Sequence, residues 1–159
     1  MKSTMIMERR RALLLAELAA AFAAGIVAAL QTLLSKHLYH GHIPMPFYLN
    51  NILFALLSYL AVALLLHRFW TGPKRVVPNW ILIGFLGGVL FVLIRLAPGV
   101  IGGWYDPLRS ESSLLSYLLN EIDAATSVVI VLSAITLPVT ALAYYLSRRV
   151  MRTRVRTRP

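Results

Sequence analysis

Residues 12–35 read ALLLAELAAAFAAGIVAALQTLLS, a run of mostly small and aliphatic side chains with one carboxylate, Glu17. A helix needs about 20 such residues to cross ~30 Å of hydrocarbon. Three further apolar runs follow at residues 47–67, 80–97 and 124–146. We therefore expect an all-α, polytopic membrane protein with four transmembrane helices, which form a single integral membrane domain over residues 1–159.

The basic residues indicate which way these spans face. All but three of the sixteen Lys and Arg residues lie in the N-terminal tail, in the connection between spans 2 and 3, or in the C-terminal tail at residues 147–159. The exceptions are Lys36, Arg95 and Arg109. Because short basic connections stay in the cytoplasm, we expect both termini on the cytoplasmic side of the cell membrane.

The net charge of +10 follows from this sidedness and requires no nucleic-acid partner. The expected partner of the basic tail at residues 147–159 is the anionic lipid headgroup layer, at about 1 kcal/mol per basic residue near the surface. The chain has no cysteine, which excludes disulfides and thiolate ligands. Because the phosphate-binding, dinucleotide-binding and HExxH motifs are also missing from the sequence, we expect neither an enzyme nor a bound cofactor.

The N-terminal region also has features of a cleaved signal peptide. Arg9-Arg10-Arg11 precedes an apolar stretch, and Ala21-Phe22-Ala23 has the small-residue spacing of a cleavage site. The apolar run continues to Leu34, however, and Glu17 interrupts the supposed signal core. We therefore expect this region to be retained as span 1.

Small residues in spans 1 and 3 predict close helix packing, because they let helix backbones approach each other in lipid. In span 1, Ala20, Ala24 and Ala28 recur every four positions, and Gly25 lies beside them. In span 3, Gly84 and Gly88 form a GxxxG pair. The GxxxG pattern does not distinguish a partner helix in the same chain from one in another copy.

Span 4 carries polar side chains that share one helix face at 100° per residue. They are Thr126, Ser133, Thr136, Thr140 and Tyr144, and Pro138 lies inside the same helix. Two interpretations stay open: interhelical hydrogen bonds worth ~0.6 kcal/mol each, or the lining of a polar pathway. Asn51 in span 2 and Gln31 in span 1 are expected to face the same interior.

Glu17 is the carboxylate that most needs an explanation. It lies roughly 7–8 Å from the inner end of span 1 at 1.5 Å per residue, and an ionisable residue at membrane depth is a functional candidate by default. A proton-coupling carboxylate and an interfacial residue that reaches back to the cytoplasm both remain open. His67, at the inner end of span 2, has no partner that the sequence identifies.

The two outer connections carry weaker signals. In the longer one, at residues 99–121, Asp106-Pro107 resembles an N-cap with Pro at the first helical position, and leucines then recur at helical spacing. We expect a short amphipathic helix on the outer face that leads into span 4. In the shorter one, His37, His40 and His42 could together bind a transition metal, but their spacing has no specific signature and we expect no metal.

Three stretches carry a resemblance to a known family: Ala28-Ala29-Leu30 to Leu33-Leu34-Ser35-Lys36, then Ile43-Pro44, then Trp80-Ile81-Leu82-Ile83-Gly84-Phe85-Leu86-Gly87-Gly88. Their order resembles the drug/metabolite transporter superfamily in its EamA-like branch, over under half of the chain. Leu15-Ala16-Glu17 is similar to the motif around the helix 1 glutamate of the small multidrug transporters in that superfamily. The resemblance implies a homodimer in which Glu17 exchanges protons for substrate.

These observations predict a small transporter-like protein that moves a small molecule or ion as a homo-oligomer. Glu17, Gln31, Asn51 and the span 4 stripe would face its pathway. The alternative is a non-catalytic structural or assembly subunit of a larger membrane complex. In that case the small-residue faces would dock on the helices of a partner.

Overall fold

The computed structural model describes residues 2–40, 45–69, 77–104 and 111–156, although some side chains within these ranges are left undescribed. The described residues form four α-helices: α1 (Lys2–His40), α2 (Met45–Phe69), α3 (Asn79–Trp104) and α4 (Glu111–Arg156). The prediction of an all-α protein is confirmed. Each predicted span lies inside one of these helices.

Proline and glycine positions explain where the helices begin and end. Gly41 and Pro44 follow α1, and neither residue continues a helix well. Pro46 lies in the first turn of α2, where a backbone N–H would have no partner within the helix, so the absence of one in proline costs nothing. Pro78 directly precedes α3, and its carbonyl accepts a 3.1 Å hydrogen bond from the Ile81 amide.

Helix α1 is the central element of the bundle. It contacts α2, α3 and α4, and α3 likewise contacts each of the other three helices. The side chains that α1 turns inward are almost all alanines, including Ala16, Ala20, Ala24 and Ala28, all fully buried. Because an alanine row leaves room for neighbouring backbones, α1 can contact three helices at once.

The bundle is arranged with small, aromatic and polar groups inside and large aliphatic groups outside. Tyr59, Ile83, Phe91 and Leu132 fill the interior together with the alanines of α1. The exposed side chains are mainly leucine, isoleucine and valine, for example Leu30, Leu53, Leu64, Ile130 and Leu142. This pattern suits a hydrocarbon solvent, in which large aliphatic side chains need no burial.

Among the described residues, three helices contain stretches long and apolar enough to cross a membrane: Arg10–Leu34, Leu49–Phe69 and Ala125–Val150. The apolar stretch described in α3, Asn79–Arg95, is shorter. The structure therefore agrees with a multi-pass membrane protein.

The separate outer-face helix expected before span 4 differs from what the structure shows. Residues 111–156 form one continuous α-helix of 46 residues. No Gly or Pro lies between Glu111 and Leu137, so nothing in the sequence interrupts the backbone hydrogen bonds before Pro138. The same helix runs on into the basic tail as far as Arg156.

Candidate functional site

Glu17 lies where α1, α2 and α3 meet, and its side chain is 0% exposed. One carboxylate oxygen, Oε2, is 2.7 Å from Nδ1 of His67 in the last turn of α2. The other, Oε1, accepts a hydrogen bond from Nδ2 of Asn79, the first residue of α3. We call Glu17, His67 and Asn79 the inner cluster.

The ends of two helices position the partners of Glu17. His67 lies in the last turn of α2, and Asn79 is the first residue of α3. The two carboxylate oxygens of Glu17 are therefore contacted from two different helices.

Helix α4 and the start of α3 close the other side of this region. Tyr144 packs with Ala16 and Ala20, and Trp80 lies against the same group. The guanidinium of Arg148 lies 5.5 Å from the Tyr144 ring centroid and donates a 3.5 Å hydrogen bond to the Tyr144 hydroxyl. Aromatic and aliphatic groups thus pack against Ala16, the residue that precedes Glu17, and against Ala20.

Solvent access to the inner cluster runs through His67. Its side chain is 21% exposed, whereas that of Glu17 is 0% exposed. A proton that reaches Glu17 from water can therefore pass through the imidazole, which has one nitrogen against the carboxylate. This arrangement can hold a proton in either of two places, on Nδ1 of His67 or on Oε2 of Glu17.

The sequence identifies no partner for His67, but the structure places its imidazole against Glu17. The residue is separated from Glu17 by 50 positions, so no local spacing connects them. One signal could have found the pair. In antiparallel neighbouring helices, Glu17 near the start of span 1 and His67 at the end of span 2 lie at the same level, and a buried carboxylate requires a donor.

The polar residues of α4 mostly lie inside the bundle, and their hydroxyls bond mainly to their own helix. Thr136 donates to the Leu132 carbonyl at 2.8 Å and contacts the Gly84 carbonyl of α3 at 3.3 Å. Thr140 bonds the carbonyls of Thr136 and Leu137. Ser133 and Tyr144 are also buried, but Thr126 is exposed, so the expectation that Thr126 shares the buried face is wrong.

Several buried polar atoms in the described part of the chain have no hydrogen-bond partner. They include Oε1 of Gln31, Oδ1 of Asn51, Oδ1 of Asn79, Nε1 of Trp80 and Oγ of Ser133. Nδ2 of Asn51 donates to the Ala29 carbonyl at 3.3 Å. An unpartnered polar atom in a bundle interior is costly, so these atoms mark places where a water, a proton donor or a ligand would be stabilised.

Gln31 lies at the opposite end of α1 from Glu17, in a cleft between α1, α3 and α4. The cleft has a volume of about 330 Å³. Its described lining residues are Gln31, Thr32, Arg95, Ser127, Val128, Val131 and Leu132. We call it the outer cleft, since the sequence predicts this end of the bundle to lie at the outer face.

The glycines that were expected to support packing all face neighbours in the same chain. A Cβ at Gly25 would lie 3.1 Å from Cα of Leu56 in α2. A Cβ at Gly84 would lie 2.8 Å from the Leu137 side chain of α4, and one at Gly88 would lie 3.3 Å from the Tyr59 hydroxyl. Gly87, which sequence reasoning missed, is tighter still, because it packs directly against the Tyr59 ring.

The histidines considered for a metal site fall largely outside the described part of the structure. His37 and His40 belong to the last turns of α1, but their side chains are not described, and His42 lies outside the described residues. Among the side chains that are described, no group of three or more His, Cys, Asp or Glu residues could hold a metal ion.

No protein family, curated protein or solved structure matches this chain. The resemblance to the drug/metabolite transporter superfamily therefore stays a prediction. Within the described structure, the inner cluster is the site whose geometry points most directly to a chemical role, because it pairs a buried carboxyl group with an imidazole.

Proposed function

We propose that this chain is a small proton-linked transport protein of the cell membrane, with four spanning helices and both termini in the cytoplasm. It acts as a homo-oligomer, and Glu17 holds the proton. The observation that carries the proposal is the complete burial of Glu17 against a titratable imidazole on a neighbouring helix. Ionisable groups at membrane depth are costly to keep, and they commonly mark ion pathways and proton relays.

The topology in this proposal combines the helix order with the distribution of charge. Helix α3 lies beside the three long apolar helices and has 26 residues, about 39 Å at 1.5 Å per residue. A helix of that length beside three spanning neighbours also crosses the membrane. Four crossings put the two termini on the same side, and the basic residues favour the cytoplasmic side.

Proton binding at the inner cluster follows from its hydrogen bonds. With both ring nitrogens of His67 protonated, the imidazolium donates its Nδ1–H to Oε2 of a negatively charged Glu17. When the proton crosses the 2.7 Å contact, Glu17 becomes a neutral acid and the imidazole loses its charge. The Asn79 amide donates to Oε1 and holds the carboxyl group beside the imidazole.

Two adjoining helices supply hydrogen-bond partners of this carboxyl group. Helix α2 contributes His67 and α3 contributes Asn79. Trp80 of α3 and Tyr144 of α4 pack with Ala16 and Ala20 on the same helix as Glu17, and Arg148 bonds the Tyr144 hydroxyl. Three other charged side chains near the start of α1, those of Glu8, Arg10 and Arg11, are exposed. Protonation therefore alters a contact between three helices, which is the kind of change that a coupled transporter needs.

The interior of one chain offers little room for a substrate between the inner cluster and the outer cleft. Tyr59, Ile83, Phe91 and Leu132 are nearly or fully buried there and fill the bundle. Transport sites commonly form between structural repeats or copies. A substrate path along the surface between two copies therefore agrees better with this packing than a channel through a single chain.

Proton flux into liposomes tests the role of Glu17. Liposomes containing the purified protein and a pH-sensitive dye are given an inside-negative potassium diffusion potential, and internal acidification is followed. No substrate is supplied, so the assay measures the proton flux that Glu17 supports without one. We expect the wild-type protein to acidify the lumen faster than protein-free liposomes do, and Glu17→Gln to abolish the difference. Glu17→Asp, which keeps a carboxyl group, should retain part of the flux.

Glu8 supplies a matched control, since it lies on the same helix but is exposed. Glu8→Gln makes the same chemical change outside the bundle and should leave the flux at the wild-type rate. The proposal fails if wild-type and protein-free liposomes acidify equally, or if Glu17→Gln matches the wild type while eluting as the same oligomer.

Native mass spectrometry from mild detergent tests the homo-oligomer. We expect masses that are multiples of the 17.7 kDa chain, with a dimer predominant. A stoichiometric foreign subunit would instead support the alternative of an assembly subunit. The small residues offered for such docking are already used inside the chain, since Ala20, Ala24 and Ala28 are fully buried.

A further inference from the structure

The outer cleft combines one cationic group with an apolar wall. Arg95 of α3 is partly buried, and its guanidinium lies 5.7 Å from the centroid of the Phe91 ring. Across the cleft, α4 contributes Val128, Val131 and Leu132. Val128 and Val131 are also about half exposed on the outer surface of the bundle, so the apolar wall continues from the cleft to the position of the surrounding lipid.

The polar side of the cleft suits a ligand that has both a hydrogen-bond donor and a negative charge. Oε1 of Gln31 is buried and has no partner. Thr32 uses its hydroxyl hydrogen on the Ala28 carbonyl at 2.8 Å, so that hydroxyl has no hydrogen left for Gln31. The guanidinium of Arg95 has five N–H donors and no acceptor, a set that suits an anion.

We propose that the outer cleft binds the headgroup of an anionic phospholipid that carries hydroxyl donors, such as phosphatidylglycerol. The phosphate would accept from Arg95, a headgroup hydroxyl would donate to Oε1 of Gln31, and an acyl chain would lie along Val128 and Val131. The site's position at the outer headgroup level rests on the topology in the proposed function. The match between the chemistry of the lipid headgroup and the side chains of the cleft does not depend on that topology.

A lipid fits these features better than a soluble anion does. A guanidinium binds a phosphate from either source through charge-assisted hydrogen bonds. A soluble anion, however, would leave the aliphatic wall of α4 without an apolar partner. Only an amphiphile satisfies the charge, the unpartnered amide oxygen and the lateral apolar opening together.

Lipid titration in mild detergent, read by native mass spectrometry, tests this site. Delipidated protein is titrated with phosphatidylglycerol or with phosphatidylcholine of the same acyl chains, which has a phosphate but no headgroup donor. We expect phosphatidylglycerol to bind the wild type about tenfold more tightly, and Arg95→Gln to weaken its binding about tenfold. Arg95→Lys should retain part of the affinity, and Gln31→Leu should reduce the preference for phosphatidylglycerol.

Arg68→Gln is the matched control, because Arg68 also lies 5.7 Å from an aromatic ring, that of Phe69, but at the opposite end of the bundle. It should bind phosphatidylglycerol as the wild type does, even though the basic tail adds non-specific attraction to both proteins. Glycerol phosphate, added to the phosphatidylglycerol titration as the soluble-anion arm, should not compete with the lipid. Equal binding by wild type and Arg95→Gln, or full competition by glycerol phosphate, would overturn the proposal. The assay uses no ion gradient, so its result is independent of whether Glu17 carries protons.

Discussion

Glu17→Leu should destabilise the folded bundle by about 2–4 kcal/mol. Leucine is compatible with a membrane helix, so the loss arises from the partners that it leaves behind. Asn79 is 2% exposed and would lose the acceptor for its amide, in addition to having an Oδ1 that is already unpartnered. His67 is partly exposed and can turn to water, so its share of the loss is the smaller one.

Unfolding by sodium dodecyl sulfate in mixed micelles, followed by circular dichroism, measures this loss. Glu8→Leu is the matched control on the same helix and should change the unfolding free energy by about 0.5 kcal/mol or less, because Glu8 is exposed. Glu17→Gln should cost clearly less than Glu17→Leu, since an amide can still accept from Asn79 and donate to the imidazole.

A double-mutant cycle separates the Glu17–His67 contact from the rest of the inner cluster. Glu17→Gln and His67→Gln, alone and combined, should be non-additive by about 0.5–3 kcal/mol, the range found for residues in contact. Additive effects, or a Glu17→Leu protein as stable as Glu8→Leu, would show that the buried contact contributes nothing to stability.

The helices were predictable because each depends on local features of the chain. Long apolar runs bounded by Gly and Pro require helices in hydrocarbon, where every backbone group needs an internal partner. The ends were less predictable, since the short amphipathic helix expected within residues 99–121 is, from Glu111 onward, part of the same helix as span 4. Amphipathic spacing marks a helix but does not mark a break, and in this segment no breaking residue was present.

The candidate site was only half predictable for the same reason. Glu17 stands out in the sequence because a carboxylate in an apolar run is unusual. Its partners are 50 and 62 positions away, and identifying them requires knowing how α1, α2 and α3 are rotated toward one another. That rotation is a matter of tertiary packing, for example the close approach of Gly25 and Gly87 to α2, whose partner side chains no local pattern specifies.

The span 3 glycines show how tertiary packing decides between alternatives that a motif leaves open. The GxxxG pair at Gly84 and Gly88 did not identify its partner, and the structure places both residues against α2 or α4 of the same chain. Gly87, which directly precedes Gly88, has the least room for a side chain among these three glycines. A motif thus located the right helix face, but the identity of the facing side chain determines which glycine matters most.

Gly87→Ala should destabilise the protein by about 1–2 kcal/mol, the balance of two opposing effects. Alanine gains about 1 kcal/mol over glycine in a helix interior. Overpacking a tight interior costs about 1–3 kcal/mol, and here the cost should be at the upper end. The added Cβ would lie 2.7 Å from Cε1 and Cγ of the Tyr59 ring, which is fully buried and has little room to move.

Two comparisons make this prediction specific to the Tyr59 ring. In Gly84→Ala the added Cβ would lie 2.8 Å from the flexible end of Leu137, which can rotate away, and 3.0 Å from Oγ1 of Thr140. The cost of these two contacts should roughly cancel the helix-propensity gain of about 1 kcal/mol, so detergent unfolding should show a change near zero. In a Tyr59→Leu background, which removes the ring, Gly87→Ala should lose most of its cost, because only the helix-propensity gain remains. If Gly87→Ala stabilises the protein in both backgrounds, the helix α2–α3 contact is looser than this geometry requires, and the ring does not set the distance between the two helices.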